Sequence, residues 1–185
     1  VLRLRTGLGG HRSLGVLLVV ALLDEGGQPL DAVYLLVCVA VHPLGQLLEV
    51  DAAGNGTKIA ATVRTLFGFK VRAYDLRQHT ARTVASGCSA SLSPDGGLLT
   101  VNGMKHENLF LYDWRNLEKA GRIGNPSGKK FDNQYWSNDA RYIVSTSENG
   151  RRDIFIHDLE RNTSMRLTRS GDCDRADLFV SGGGS

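Results

Sequence analysis

The sequence predicts an all-β chain assembled from repeated four-stranded units, and three observations carry that expectation. A turn signal recurs at near-constant spacing: Ala53-Gly54-Asn55-Gly56, then Ser93-Pro94-Asp95-Gly96 after 40 residues, Ser137-Asn138-Asp139-Ala140 after 44, and Ser181-Gly182-Gly183-Gly184 after another 44. A second marker, an aromatic ring or His followed by Asp and a large apolar residue, keeps step with it as Tyr74-Asp75-Leu76, Tyr112-Asp113-Trp114 and His157-Asp158-Leu159. The 22 glycines against four prolines suit a turn-rich β chain and lack the strict period of a collagen. A repeat in the forties points to stacked or radial units rather than one unrepeated core.

The two markers stay in register through three copies, with 19, 17 and 18 positions from the last turn residue to the Asp. The turn has a mechanical reading. Pro94 presets φ for a type I turn, Ser93 and Asp95 fold back on the backbone, and Gly96 takes the position a side chain would strain. Each copy is therefore expected to open a hairpin.

Strand candidates follow from alternation and turn signals. In the first unit they are 59–63, 69–74 and 81–84, grouped around Leu66-Phe67-Gly68. In the second they are 98–101, 108–114 and 121–123, with residues 103–107 as the hairpin between the first two. In the third they are 142–146, 153–157 and 165–168, with Asn149-Gly150 as a tight hairpin turn. The segments running into each next turn, 88–92, 132–136 and 176–180, supply a fourth strand per unit. Four short strands per unit of about 44 residues, arranged radially, make a β-propeller blade. The expected fold is thus a partial propeller of about three blades, at about 51–92, 93–136 and 137–180, with a further one opening at 181.

The units resemble the WD40-like, TolB-type propeller repeat. Leu92-Ser93-Pro94-Asp95-Gly96 and Trp136-Ser137-Asn138-Asp139 match its turn. Ser147-Glu148-Asn149-Gly150, Asp153-Ile154-Phe155-Ile156 and Leu167-Thr168 match the rest of one blade. The likeness covers residues 51–185 and departs from the pattern at the first and last turns. In such propellers the turn is structural, so the resemblance implies a fold and leaves function to the sites. It also implies a bacterial periplasm or cell-envelope location, with the cytoplasm left open.

Residues 1–50 lack both markers and form an N-terminal segment of different character. Two apolar runs, 14–23 and 32–41, flank an acidic connector with Gly26, Gly27 and Pro29. Each is about ten residues, short of the roughly 20 that span a bilayer as a helix, so no membrane span is expected. They read as a strand pair or a degenerate blade. Arg3, Arg5 and Arg12 imitate the positive flank of a secretory signal, but Asp24-Glu25 stands where a small-residue cleavage site would follow. Val1 in place of Met reads as the start of a fragment of a longer protein.

Composition narrows the partners. The chain is 42% hydrophobic and 22% charged, and its net charge of +3 divides into −1 for residues 1–50, three Arg against four acids, and +4 for the rest. Neither part has the basic density of a nucleic-acid binder. Cys38, Cys88 and Cys173 form no CxxC pair and read as small buried hydrophobes, a Cys88–Cys173 bridge needing Cα atoms within about 6 Å.

Candidate site residues are few. Asp75, Asp113 and Asp158 recur at one blade position and read as strand-end hydrogen-bonding groups. Trp136 occupies the slot that Leu92 and Val180 hold in neighbouring units, an apolar core slot between blades. His106 and Glu107 lie at a hairpin tip, open to a partner or simply solvated. Asp172, Asp174 and Asp177 are three carboxylates in six residues, placed by family analogy near one mouth of the central channel, where Ca2+ is conceivable; Asp132 and Asn133 are their counterpart one repeat earlier. The twelve-residue calcium-loop grammar is missing there, and Arg175 sits among the acids. A solvated turn or a partner contact are the other readings, and no cofactor is expected.

No Gly-x-Ser-x-Gly elbow, HExxH helix or Walker loop is present. The expected function is a non-catalytic module that binds a protein or peptide. The alternative is a substrate-gating or carbohydrate-recognising propeller attached to a hydrolase. Three blades fall short of the about four to eight of a closed ring, so self-association through open sheet edges is also expected.

Overall fold

The computed structural model describes residues 3–5, 17–20, 35–38, 46–53, 56–126, 128, 130–148 and 151–181. Their strands, in chain order, are β1 Arg3–Arg5, β2 Leu17–Val20, β3 Leu35–Cys38, β4 Gln46–Ala52, β5 Lys58–Thr65, β6 Gly68–Asp75, β7 Thr80–Leu92, β8 Leu98–Gly103, β9 Asn108–Asp113, β10 Lys119–Gly124, β11 Lys130–Trp136, β12 Tyr142–Glu148, β13 Arg152–Asp158 and β14 Thr163–Arg166. No helix occurs among the described residues. The chain is all-β and has the architecture of a partial propeller.

Among the described strands three antiparallel blade-like sheets make up that architecture, the first two continuous through β7. The first is β4-β5-β6 with the opening half of β7, and the second is the closing half of β7 with β8-β9-β10. The third is β11-β12-β13-β14. β7 changes sheets part-way along: Thr80–Ser86 pair with β6, whereas Gly87 onward pair with β8. Gly87 makes the transfer possible. Its φ is 150°, and a Cβ there would lie 2.3 Å from the Asn102 carbonyl oxygen, so any side chain would force the strands apart.

The sheets are offset from the sequence repeats. Residues 88–92 and 132–136, counted above as the last strand of their unit, pair with the strand that follows the next turn. A hairpin turn joins strands of one sheet, so the strand before each turn belongs with the strand after it. For the same reason β4 starts at Gln46, and residues 46–50 belong to the first sheet, not to the N-terminal segment. Within that segment β2 and β3 pair antiparallel, the strand pair expected of the two apolar runs, and β1 adds to β4. The remainder of residues 1–45 lies outside the described residues, as does Asn149-Gly150.

The turns explain why the two sequence markers keep step. In each copy the first turn residue donates its N–H across the turn and the fourth bonds back to the first: Ala53 to Lys58 and Gly56 to Ala53, Ser93 to Leu98 and Gly96 to Ser93, Ser137 to Tyr142 and Ala140 to Ser137. A third bond joins the markers, from Leu76, Trp114 and Leu159, each just after the strand-end Asp, to the carbonyls of Thr57, Gly97 and Arg141. An insertion in either intervening strand would break that bond. Ser93 and Ser137 add a hydroxyl that bonds Asp95 and Asp139 and closes on Leu98 and Tyr142. These serines hold the Asp95 and Asp139 carboxyls below the usual carboxylate range.

Two apolar clusters lie between the sheets. Ala60, Val71, Leu92, Leu99, Val101 and Trp114 belong to the first. Leu109, Leu111, Phe131, Trp136 and Ile143 form the second. Trp136 is 4% exposed and donates its indole N–H to the Ser91 carbonyl at 3.1 Å. It therefore packs between blades as a core residue.

Candidate functional site

Strands β4, β7 and β11 lie side by side, as the inner strands of a propeller do, and the β5–β6 and β8–β9 hairpins stand at the end that corresponds to one propeller mouth. Counted back from the turns, Glu49, Ser89, Asn133 and Asp177 are equivalent, and so are Leu48, Cys88, Asp132 and Ala176. Three of the residues singled out from sequence, His106, Asp132 and Asn133, meet here.

His106 is not a free hairpin tip. Its φ of 60° turns the ring inward, where Nδ1 lies 3.1 Å from the Phe131 carbonyl oxygen and Nε2 lies 3.8 Å from Cys88 Sγ. The Asn102 side-chain nitrogen lies 3.4 Å from the same Nδ1, so a carbonyl, an amide and a thiol border the ring. The His106 carbonyl also accepts the Phe131 N–H at 2.6 Å. The residue thus staples the second sheet to the third. Glu107 beside it is exposed, and its carbonyl accepts the Asn125 N–H.

Around this pair the groups are polar and mostly committed. Asn102 donates to the Phe131 carbonyl at 2.9 Å, Gln134 to the Ser89 carbonyl, and the Ser89 hydroxyl to the Asp132 carbonyl at 3.1 Å. Asn133 donates to the Asp132 carboxylate at 2.9 Å. The buried acceptors Asn102 Oδ1 and Gln134 Oε1 receive no hydrogen bond from the protein. Burial pushes the Cys88 thiol up, and the Glu49 and Asp132 carboxylates push it further. Cys88 is accordingly a protonated thiol rather than a nucleophile poised for attack. Cys173, like Cys88, is half-buried and free.

One polar position that sequence inspection passed over ties the sheets together. Thr62, Asn102 and Thr146 each stand nine residues after the first turn residue. Thr62 Oγ1 accepts the Ala90 N–H at 3.3 Å, Asn102 donates to Phe131, and Thr146 Oγ1 accepts the Arg175 N–H at 3.1 Å. Each reaches the inner strand of the following unit. Aligning the copies column by column would have exposed it. Asp51, 5% exposed, was also missed; it accepts the Ser91 hydroxyl and the Leu92 N–H, both at 2.9 Å.

Asp174 is occupied by Arg152 at 2.7 Å and by the Thr146 hydroxyl at 3.2 Å, while Asp172 and Asp177 are exposed. Among the described residues no three His, Cys, Asp or Glu side chains converge where they could hold a metal ion. Residues 176–180, expected as a strand, have no ladder partner among the described residues, yet they occupy an inner-strand place: Asn138 bonds both the N–H and the carbonyl of Val180.

The strand-end acids cap turns. Asp75 accepts the Gln78 N–H, Asp113 the Arg115 N–H, and Asp158 the N–H groups of Glu160 and Arg161. Arg115 holds the Asp113 carboxyl down to about 2, and Arg141 lowers that of Asp158. His157 lies fully buried between the Ser145 hydroxyl at 2.8 Å and the Ser164 hydroxyl at 2.7 Å, with its ring edge-on to Phe131. Desolvation lowers its pKa to about 4, so it is neutral and structural.

No family model matches the chain, and no curated protein matches it. Solved structures do. TolB from Acinetobacter baumannii is 21% identical, with a TM-score of 0.60 over 72% of this chain and 35% of that one. A putative TolB from Agrobacterium tumefaciens is 18% identical, with a TM-score of 0.53 over 65% of this chain and 46% of that one. The β-propeller domain of the Trilobed protease from Pyrococcus furiosus is 14% identical, with a TM-score of 0.50 over 69% of this chain and 45% of that one. These likenesses show the fold: the chain has the fold of a partial, TolB-like β-propeller. It spans between about a third and a half of the structures it matches.

Proposed function

We propose that this chain is a non-catalytic propeller module that binds a protein or peptide segment at the mouth of its inner strands. The observation that supports this most is the arrangement of that mouth, where, among the described residues, His106, Asn102, Gln134 and Ser89 are committed to holding neighbouring sheets together. Glu49, Asp132 and Glu107 give the mouth acidic character. A basic segment complements it, because its cations meet carboxylates.

The test is capture from cell-envelope extract at micromolar concentration by the wild-type chain and by Asp132→Lys, with circular dichroism verifying that the variant keeps its sheet content. A partner held by the wild type and lost by the variant supports the reading. No partner, or equal capture by both, overturns it. The second reading, a propeller that gates or recognises substrate for an attached hydrolase, draws on the likeness to a propeller domain of a protease. A catalytic domain contiguous with this reading frame would favour it.

A further inference from the structure

Two neighbouring hairpin tips at this end of the molecule carry apolar side chains that the fold leaves in water. Leu66 is 79% exposed and Phe67 90%, in a two-residue turn between the paired residues Thr65 and Gly68. Met104, 55% exposed, projects from the β8–β9 tip and lies against Gly68, whose added Cβ would stand 3.7 Å from Met104 Cε. The turn is built rather than slack: Thr65 Oγ1 donates to the Gly68 carbonyl at 2.8 Å and accepts the Phe67 N–H at 3.3 Å. Flanking these side chains are the exposed Arg64 and Lys105, with Glu107 as the one acid in the two tips; Lys70 nearby donates to the Ser86 hydroxyl.

We infer that the paired tips dock on an anionic lipid surface, with Leu66, Phe67 and Met104 entering the headgroup boundary and Arg64 and Lys105 meeting lipid phosphates. Two features select this occupant over a protein groove. The side chains stand at the apex of a convex hairpin, so a soft medium can surround Phe67 on every side where a rigid partner would need a matching pit. The charge bordering them is cationic on both tips, and it complements an anionic interface. Long basic side chains next to apolar ones suit a boundary, since their stems lie along the apolar zone while their heads stay hydrated. This surface borders the acidic mouth and shares Glu107 with it, but the lipid contact does not depend on what the mouth binds.

The experiment uses the full chain with vesicles of equal parts phosphatidylglycerol and phosphatidylcholine, and with phosphatidylcholine alone. Sedimentation should show binding to the anionic vesicles that falls as salt rises, and weak binding to the neutral ones. Phe67→Ser should weaken it by at least about tenfold, the effect of withdrawing one aromatic side chain from an apolar medium. Lys105→Glu should weaken it by about fivefold or more. Because both positions are exposed, each variant should keep the wild-type melting curve. Phe67→Trp provides a second readout: Trp114 and Trp136 are buried, so a blue shift on adding anionic vesicles reports the tip. The inference is overturned by no binding to anionic vesicles, by equal binding to both compositions, by unchanged binding of Phe67→Ser, or by an indole emission of the Phe67→Trp variant that vesicles leave unmoved.

Discussion

The interface between the first and second sheets and that between the second and third occupy the same repeat positions with different chemistry. On the first side, the buried carboxylate of Asp51 takes the Ser91 hydroxyl and the Leu92 N–H, and Leu92 fills the apolar slot. On the second, the indole of Trp136 fills the equivalent slot and donates to the Ser91 carbonyl. Ser91 is thereby bonded from both directions and links all three sheets. The repeat thus specifies a polar reach into the neighbouring strand and a filled slot, not a particular residue. A side-chain tie to a fixed backbone N–H and a tie made by a packed indole should respond differently to truncation.

The largest expected effect is at the second interface. Trp136→Ala empties an aromatic site and should cost about 3–5 kcal/mol. That rivals the entire stability of a marginal domain, so loss of soluble protein is the expected outcome and urea titration the measurement for any fraction that folds. Trp136→Phe, which keeps most of the volume but removes the N–H donor, should cost only about 1–2 kcal/mol. Equal effects of the two variants would assign the slot to the hydrogen bond instead of to packing.

Acid should weaken the second interface specifically. His157 packs edge-on to Phe131, a member of that interface's cluster, and its folded-state pKa of about 4 lies below the 6.5 of an unfolded imidazole. Between those values the unfolded chain binds a proton that the folded chain excludes, so stability falls as pH drops from 6.5 toward 4. The total is about 3 kcal/mol, by the equivalence of a pKa unit to 1.36 kcal/mol. Asp95, Asp113, Asp139 and Asp158 have lowered values, so their contribution is lost only as pH falls below the ordinary carboxylate range. Urea midpoints measured from about pH 7 to about pH 4 should therefore decline in wild type and flatten in His157→Gln.

At the first interface Asp51→Ala should cost about 1–3 kcal/mol, the range for leaving buried donors unsatisfied. The Leu92 N–H is the group at risk, since it is fixed in the backbone, whereas the Ser91 hydroxyl can rotate. A cost above that of Trp136→Ala in the same assay would reverse the ranking of the two interfaces.

Legibility in the sequence followed the range of the forces. The turns and strand-end acids were readable because their bonds close within about 20 residues along the chain, as from Trp114 to Gly97, and leave a spacing. The slot of Leu92 and Trp136 was readable because size and apolarity persist across copies. What escaped were contacts between units: Asp51 to Ser91 spans 40 residues and Asn102 to Phe131 spans 29. Their residue types vary from copy to copy, so no motif marks them. His106 escaped for the same reason, since a hairpin-tip histidine reads as solvated until its positive φ turns the ring onto the next strand. The offset between repeats and sheets also hid, because a strand's partner is chosen by the turn after it, not by the marker before it.

The smallest effect compares two copies of one turn. Gly96 and Ala140 hold the same fourth position at φ of 66° and 59°, and both donate to the first turn residue. A left-handed conformation costs a residue with a Cβ about 1–2 kcal/mol, a cost that Gly96 avoids and Ala140 bears. Glycine recovers that strain but adds freedom to the unfolded chain, worth about 0.5–1 kcal/mol in the other direction. Ala140→Gly should therefore stabilise by about 0.5–1 kcal/mol, read as a raised urea midpoint at constant slope. Gly96→Ala should destabilise by more, because its new Cβ would meet Ala53 Cβ at 3.0 Å and Lys58 Cδ at 2.8 Å in addition to the backbone strain. Of those two atoms the Lys58 end can swing away, though at the loss of its 2.7 Å bond to the Gly96 carbonyl, whereas Ala53 is fixed by the first turn. If both variants moved the midpoint equally and oppositely, strain alone would set the turn, and contact between neighbouring turns would contribute nothing.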